Sequence, residues 1–356
     1  MSRPRPKWRS PRFLLKVLLA NALVFAVVFA LGEFAVRAWR EGGLVAGLQS
    51  FAWPNDRPHG AGTGDWFRAD AELGYTLDPG RPEVSSLRIR HGELGPKEKG
   101  AFRLLLIGDS VTWPADGFAA LLAARLCAER PQVETINAAV PGYTAHQERL
   151  HLARLLAPVA PDVVVVQYCC NDNHAFLHQL VGGGLLLTQA ARTALLPPGD
   201  GPWARFQRWS YLAFELRRRL AGPPAAAGPF PWRDDAAFEP AWRDDSWPML
   251  LAEYDAMLAL GNGAGARLLV LAMPHEAQLA DAALAADAAY TCMPQSRLGA
   301  WCTAHAVPFV DLHPAFVRHR DEHLFVRGDP VHLSAAGHAL VAAELHEALV
   351  AAHLLP

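Results

Sequence analysis

LLLIGDSVTWPADG, residues 104–117, sets an apolar run directly against Gly108, Asp109 and Ser110 before the chain turns at Pro114 and Gly117. Two readings of Ser110 fit this spacing. Ser and Asp are favoured at the start of a helix, where their side-chain oxygens accept unpaired backbone N–H bonds, so the serine reads as a cap. A serine at the end of a strand also reads as a nucleophile, and the partners elsewhere in the chain decide between the two.

Working outward, FRLLLIG, VETIN, DVVVVQY, ARLLVLA and VPFVDL are short apolar runs, each separated from the next by a helical stretch. That alternation predicts an α/β fold with a parallel sheet covered on both faces. GFAALLAARLCAER and HQERLHLARLLAPV carry apolar residues at three and four spacing, the stripe that covers such a sheet. One connection, about 90 residues between DVVVVQY and ARLLVLA, is too long for a simple crossover. It predicts an insertion of helices and loops over about 174–245, in which SYLAFELRRRL forms one amphipathic helix with Arg217, Arg218 and Arg219 in solvent.

The N-terminus has its own pattern. Arg3, Arg5, Lys7, Arg9, Arg12 and Lys16 precede any acidic residue, and a 19-residue run from Phe13 to Leu31 is broken only by Lys16 and Asn21. A run of this length suits a membrane-crossing helix, and basic residues before it predict a cytoplasmic start with the rest of the chain outside. The expected organisation is a basic tail at 1–12, an anchor at 13–36, a juxtamembrane extension at 37–100 and a catalytic domain at 101–351. A cleaved signal peptide ending near Ala30-Leu31-Gly32 is the rival reading. Within the extension, LGYTLDP and SSLRIRHGE look like short edge strands.

Composition narrows the partners. The chain is 51% hydrophobic with a net charge of -2, and outside the six early basic residues it holds 27 basic against 35 acidic residues. No basic face for nucleic acid is expected. Only four lysines stand against 29 arginines, and Ala, Gly and Pro abound, a usage pointing to a GC-rich bacterial genome. Of the five cysteines, Cys292 and Cys302 are placed to pair across TCMPQSRLGAWC in an oxidising compartment, whereas Cys127 reads as a small core residue. Cys169 and Cys170 end an apolar strand and have no evident His partner, so neither reads as a nucleophile.

In open α/β sheets the site gathers at the carboxyl ends of the strands. GDS, NAAVPGY, NDN and GDPVHLSAAGH all fall at or near that edge. A serine nucleophile needs a base, an acid to orient the base, and donors for an oxyanion. His332 can serve as base, Asp329 three residues earlier as its orienter, and the N–H groups of Ser110 and Gly142 with the Asn171 amide as donors. Taken singly, DPVH is also an Asp-Pro turn before a surface histidine, and Gly142 also suits a Pro-Gly turn.

With GDSVT, NAAVPG, Asn171-Asp172 and DPVH in this order and spacing, the chain resembles the SGNH, or GDSL, hydrolase superfamily across roughly residues 101–351. The resemblance implies a flavodoxin-like three-layer fold with strand order 2-1-3-4-5. It also implies Ser110 as nucleophile and oxyanion donor, Gly142 and Asn171 as further donors, His332 as base and Asp329 as its orienter. The anchor, LGYTLDPG and the large insertion resemble the bacterial membrane-tethered members. Cys169 stands where the third block usually begins with Gly, a departure that bears on the placement of Asn171. Asp109 is expected to fix its turn.

The other histidines read as minor. His319 and His323 lack the zinc pattern and a third ligand, His275 and His174 are loop histidines near the cleft, and His338 lies in the last helix. No metal or cofactor is expected. The leading expectation is an extracytoplasmic serine esterase of the bacterial inner membrane, removing acyl groups such as acetate from a cell-envelope or exported glycan. An O-acyltransferase using the same triad and a non-catalytic glycan-binding protein are the alternatives.

Overall fold

Strands covered on both faces leave little room for polar side chains, and the central sheet keeps its polar residues at or near strand ends except for Glu134 and Thr135 of its edge strand, Val133–Asn137. The computed structural model describes residues 11–40, 44–49, 66–181, 184–187, 206, 210, 212–213, 216, 228–235 and 237–356. Strands β1 (Phe67–Asp70) and β2 (Gly74–Leu77) form an antiparallel hairpin. The sheet follows with β3 (Phe102–Ile107), β4 (Val133–Asn137) and β5 (Val163–Tyr168). A second antiparallel hairpin joins β6 (His178–Val181) to β7 (Gly184–Leu187), and β8 (Arg267–Ala272) and β9 (Phe309–Asp311) complete the sheet.

The five sheet strands run β4-β3-β5-β8-β9, all parallel. Counted within the sheet this is order 2-1-3-4-5, as expected. Successive residues of β3 divide between two cores. Leu104 and Leu106 join Phe118, Leu122, Leu126, Val341 and Leu345, from the helices Phe118–Glu129 and Ala335–Ala351. Leu105 and Ile107 join Leu152, Leu155, Leu250, Met257 and Leu298, from the helices Ala145–Val159, Trp247–Gly263 and Met293–Ala304. The period-two alternation of the strand thus makes the three layers.

The chain forms two compact units, Met1–Ala61 with Leu196–Ala226, and Gly62–Leu195 with Ala227–Pro356. In the first, the helix Pro11–Arg40 includes a 28-residue stretch, Pro11–Ala38, within which an 18-residue window has a mean hydropathy of 2.5. It is long and apolar enough to cross a bilayer, a property that membrane anchors and signal sequences share. Near its end, Glu33 accepts bonds from Arg37 Nε at 2.7 Å, Ser210 Oγ at 2.7 Å and the Leu212 N–H at 3.0 Å. Arg3, Arg5, Lys7 and Arg9 lie outside the described residues, as do Arg217, Arg218 and Arg219.

Three sequence expectations are corrected. Ser110 is not a helix cap: the next helix starts at Phe118 behind Gly117, and its first N–H donates to Nδ1 of His338 at 3.2 Å. Cys292 and Cys302 are both free thiols, because Cys302 lies in a helix that Cys292 precedes, which separates them by about 15 Å at the helical rise. Cys127, expected in the core, is exposed on the helix Phe118–Glu129. The insertion, expected to hold helices and loops, has helical residues at 206, 212, 213 and 216 and adds the β6–β7 hairpin and short 3₁₀ turns at Pro231–Asp234, Glu239–Trp242 and Asp244–Ser246. Leu185 of that hairpin is buried with Tyr75 and Leu77, a tertiary contact that local pattern does not announce.

The last helix meets the preceding loop closely. A β-carbon at Gly337 would run into the backbone carbonyl oxygen of Leu324, which itself accepts from the Ser334 N–H at 2.9 Å. Gly337→Ala is therefore expected to destabilise the fold by about 1–3 kcal/mol through overpacking against backbone. Urea midpoints of the two proteins check this, and an unchanged midpoint would contradict the close approach.

Candidate active site

Beyond the end of β3, side chains and loop amides replace the ladder. Gln167, next to the end of β5, accepts from the Asp109 N–H at 3.3 Å and from Thr112 Oγ1 at 2.9 Å. Asp109, buried, turns one carboxylate oxygen back to the Val111 N–H at 2.9 Å. These bonds hold the turn that presents Ser110, and Asp109 fixes it as expected. Burial raises the Asp109 carboxyl above its ordinary value despite the donors at Val111 and Asn171.

The loop carrying His332 is pinned at both ends. The Val326 N–H donates to the His332 carbonyl at 2.9 Å, and Phe325 pairs with Leu333. Between them the chain reverses through Gly328 and returns at Asp329. One Asp329 oxygen accepts the N–H groups of Val331 at 3.1 Å and His332 at 2.9 Å. The other accepts Nδ1–H of the His332 ring at 2.7 Å, and the Ser110 hydroxyl donates to Nε2 at 2.8 Å. Ser110, His332 and Asp329 are thus joined in one line of hydrogen bonds.

The charges in that line are separated by their surroundings. Burial pushes the Asp329 carboxyl up, but the bonds from the His332 ring and from the N–H groups of His332 and Val331 together outweigh it and hold the carboxyl at about 2. The hydrogen bond to Asp329 raises His332 above its ordinary value, against the opposing effect of burial. The imidazole side chain is 42% exposed, so a small molecule can reach it.

The other predicted residues converge on the same edge. The Val140 N–H donates to the Gly108 carbonyl at 3.0 Å, which carries the β3–β4 pairing past the strands and lays the 138–142 loop beside the serine turn. Gly142 needs its missing side chain twice over. Its φ of 75° is left-handed, and a β-carbon would fall 2.5 Å from His178 Nδ1 and 2.9 Å from the Tyr75 hydroxyl. Asn171 Nδ2 donates to Asp109 at 2.9 Å, leaving its second N–H. Among the described residues, the backbone N–H groups of Ser110 and Gly142 donate to no other group, although those of Asp109, Val111 and Tyr143 do.

Cys169 does not crowd this arrangement. Its side chain enters the core, while its N–H donates to Asp172 at 2.9 Å and its carbonyl accepts the Asp172 N–H at 2.9 Å, a tight turn that delivers Asn171 to the edge. The neighbouring Cys170 thiol and burial raise the Cys169 thiol well above its ordinary value, which keeps it protonated.

Of the minor histidines, His275 is buried and caps the short turn Glu276–Leu279 through Nδ1. It lines a cavity of about 610 Å³ with Glu276, Phe325 and Pro330, behind the Asp329 loop and without Ser110. His319 bonds Glu322, and no metal-ligating cluster occurs among the described residues. Sequence reasoning missed Tyr75, His178 and Trp113. Trp113 follows the serine turn, with Trp66 edge-on at 5.3 Å and the Arg90 guanidinium 4.9 Å from its ring centre.

The model of the GDSL-like lipase/acylhydrolase family matches residues 106–340, which hold Ser110, Gly142, Asn171, Asp329 and His332. The chain belongs to that family. It is an ester hydrolase of the SGNH type by membership. Comparison with curated proteins finds no match. Among solved structures, this hydrolase is similar to TesA at 18% identity, over 69% of this chain and 97% of that one, with a TM-score of 0.40. It is also similar to a catalytic mutant of Axe2, an acetylxylan esterase from Geobacillus stearothermophilus, at 16% identity over 71% and 96% with a TM-score of 0.43. A third similar structure is the acetyl xylan esterase AlAXEase, at 14% identity over 70% and 100% with a TM-score of 0.41.

The raised imidazole has a direct consequence. His332 is expected to lose its ring proton at a pH above the ordinary histidine value of about 6.5, and Asp329→Asn is expected to move that transition to lower pH. Ring-nitrogen NMR of labelled histidine follows it, and an unshifted transition in the variant would contradict the Asp329 contact as its cause.

Proposed function

We propose that the chain is an extracytoplasmic serine esterase held in the bacterial inner membrane. The observation that carries this reading is the continuous hydrogen-bonded line from Asp329 through His332 to Ser110. Neutral His332 takes the Ser110 proton as Oγ attacks the ester carbonyl, and the resulting imidazolium is stabilised by Asp329. The oxyanion meets the unpaired N–H groups of Ser110 and Gly142 and the second N–H of Asn171. The protonated imidazole then gives its proton to the leaving alcohol. In the second half, His332 activates a water that releases the acid and regenerates Ser110.

The substrate proposed is an acylated glycan carrying short acyl groups such as acetate. Its support is the half-buried Trp113 one turn beyond Ser110, where an indole and the Arg90 guanidinium together suit a sugar ring and its oxygens. Ser110→Ala is expected to lower kcat/KM for a short-chain aryl ester by at least about 10³. In the wild type, activity is expected to fall with acid as His332 becomes protonated, at a pH above the ordinary histidine value. Retained turnover in Ser110→Ala, or failure of a fluorophosphonate probe to label the wild type at Ser110, would overturn the assignment.

The proposed topology has residues 1–12 in the cytoplasm, 13–36 as a retained anchor and the 101–351 domain outside. The acid-free basic start before the apolar helix supports it. Protease added outside intact spheroplasts is expected to degrade the catalytic unit. Protection until the membrane is dissolved would place that unit inside.

A further inference from the structure

LGYTLDPG, residues 73–80, lies outside the sheet and outside the matched family region, yet its tyrosine reaches the site. Tyr75 is fully buried in the β1–β2 hairpin, and its hydroxyl donates to the Pro141 carbonyl at 2.9 Å. That carbonyl and the Gly142 N–H belong to one peptide group. In a trans peptide the two point in opposite directions, so a donor fixed on the oxygen fixes the direction of the N–H on the other side. A hydrogen bond to the oxygen also draws electron density from the nitrogen, which makes the N–H a stronger donor.

The surroundings hold the tyrosine in that position. The Tyr143 hydroxyl donates to the Tyr75 carbonyl at 2.9 Å, and Gln147 Nε2 donates to the Leu73 carbonyl at 2.7 Å, so the start of the short strand is tied at two points to the loop and helix that follow Gly142. Phe67 and Tyr143 pack edge-on against the Tyr75 ring at 5.4 and 5.3 Å. On the other side of Gly142, His178 of the β6–β7 hairpin lies with Nδ1 3.4 Å from the Gly142 carbonyl. Burial lowers His178 to about 4, so the ring is neutral at neutral pH and has one N–H to give. The carbonyls on both sides of the Gly142 α-carbon are therefore held by side chains from two hairpins that are no part of the central sheet.

We propose that Tyr75 is a positioning residue for ester hydrolysis, its hydroxyl aiming and polarising the Gly142 N–H toward the oxyanion, with His178 as the lesser clamp. This inference rests on the reading of Gly142 as an oxyanion donor. It assigns the two hairpins a part in building the site: they hold the one donor loop that the sheet leaves tethered on a single side.

The test uses the full-length chain, a short-chain aryl acetate and a small boronic acid that adds to the serine as a tetrahedral adduct. Tyr75→Phe is expected to lower kcat by about tenfold, less than outright removal of an oxyanion donor costs. KM should stay within about twofold, and boronate affinity should fall in parallel with kcat, because only the tetrahedral state loads the Gly142 N–H. Thr291→Val, which loses a buried hydrogen bond to the Ala283 carbonyl away from this hairpin and from Gly142, is expected to keep kcat within about twofold. Wild-type kcat and boronate affinity in folded Tyr75→Phe would overturn the proposal, as would equal losses in both variants tracking their thermal midpoints. Should Tyr75→Phe not fold, 3-fluorotyrosine at position 75 keeps the ring and supplies a stronger donor. Boronate affinity at or above wild type supports the proposal, and a weaker affinity overturns it. Turnover surviving in Ser110→Ala would instead refute the esterase reading itself.

Discussion

The parallel pairing of β3 between β4 and β5 is the constraint from which the rest of the structure follows. Because helices cover both faces, the strand interiors must be apolar, and the polar groups of GDS, NAAVPG and NDN are forced to the one edge where the strands end together. The ladder does not stop cleanly there. It is extended by backbone bonds from Ala138 and Val140 to Leu106 and Gly108, and by Gln167, which reaches across to the serine turn. The edge is thus rigid where the ester is to be met, and the loop bearing His332 completes it by its own internal bonds.

Environment divides the carboxylates near this edge into two kinds. Asp329, half-buried with three N–H donors, is held ionised. Glu148 and Asp172 are fully buried beside Asp109, and burial with that neighbouring charge raises both carboxyls well above their ordinary values. Neither oxygen of Glu148 has a hydrogen-bond partner among the described residues. The chemistry of the side chain is the same in each case. Donors favour the anion at Asp329, and burial with few donors or none favours the neutral form at Glu148 and Asp172.

What the sequence made legible was whatever depends on chain-local order. The five strands of the central sheet followed from short runs set between helical stretches, and Ser110, Asp329 and His332 were readable because a motif places each at a fixed offset from a strand end or a turn. Gly142 was readable with its alternative, and its φ of 75° together with the crowding by Tyr75 and His178 shows why only glycine fits there. Tyr75 and His178 escaped because their partners are backbone carbonyls more than thirty residues away, and a side chain aimed at a carbonyl leaves no mark in periodicity. The capping reading of Ser110 failed for a related reason. The helix it seemed to open begins later, at Phe118, and the acceptor that serves its first N–H is His338, a residue 220 positions on.

The hydrogen bond between Ser110 and His332 spans 222 positions of sequence. Contacts of such separation form late, since the intervening loop must be ordered before they repay its entropy. On the proposed mechanism, the growing chain therefore carries its serine turn long before it carries a base, and a chain stopped anywhere before residue 332 would hold an unactivated alcohol. Latency until the whole unit has folded is in this way a property of connectivity, and it needs no pro-segment.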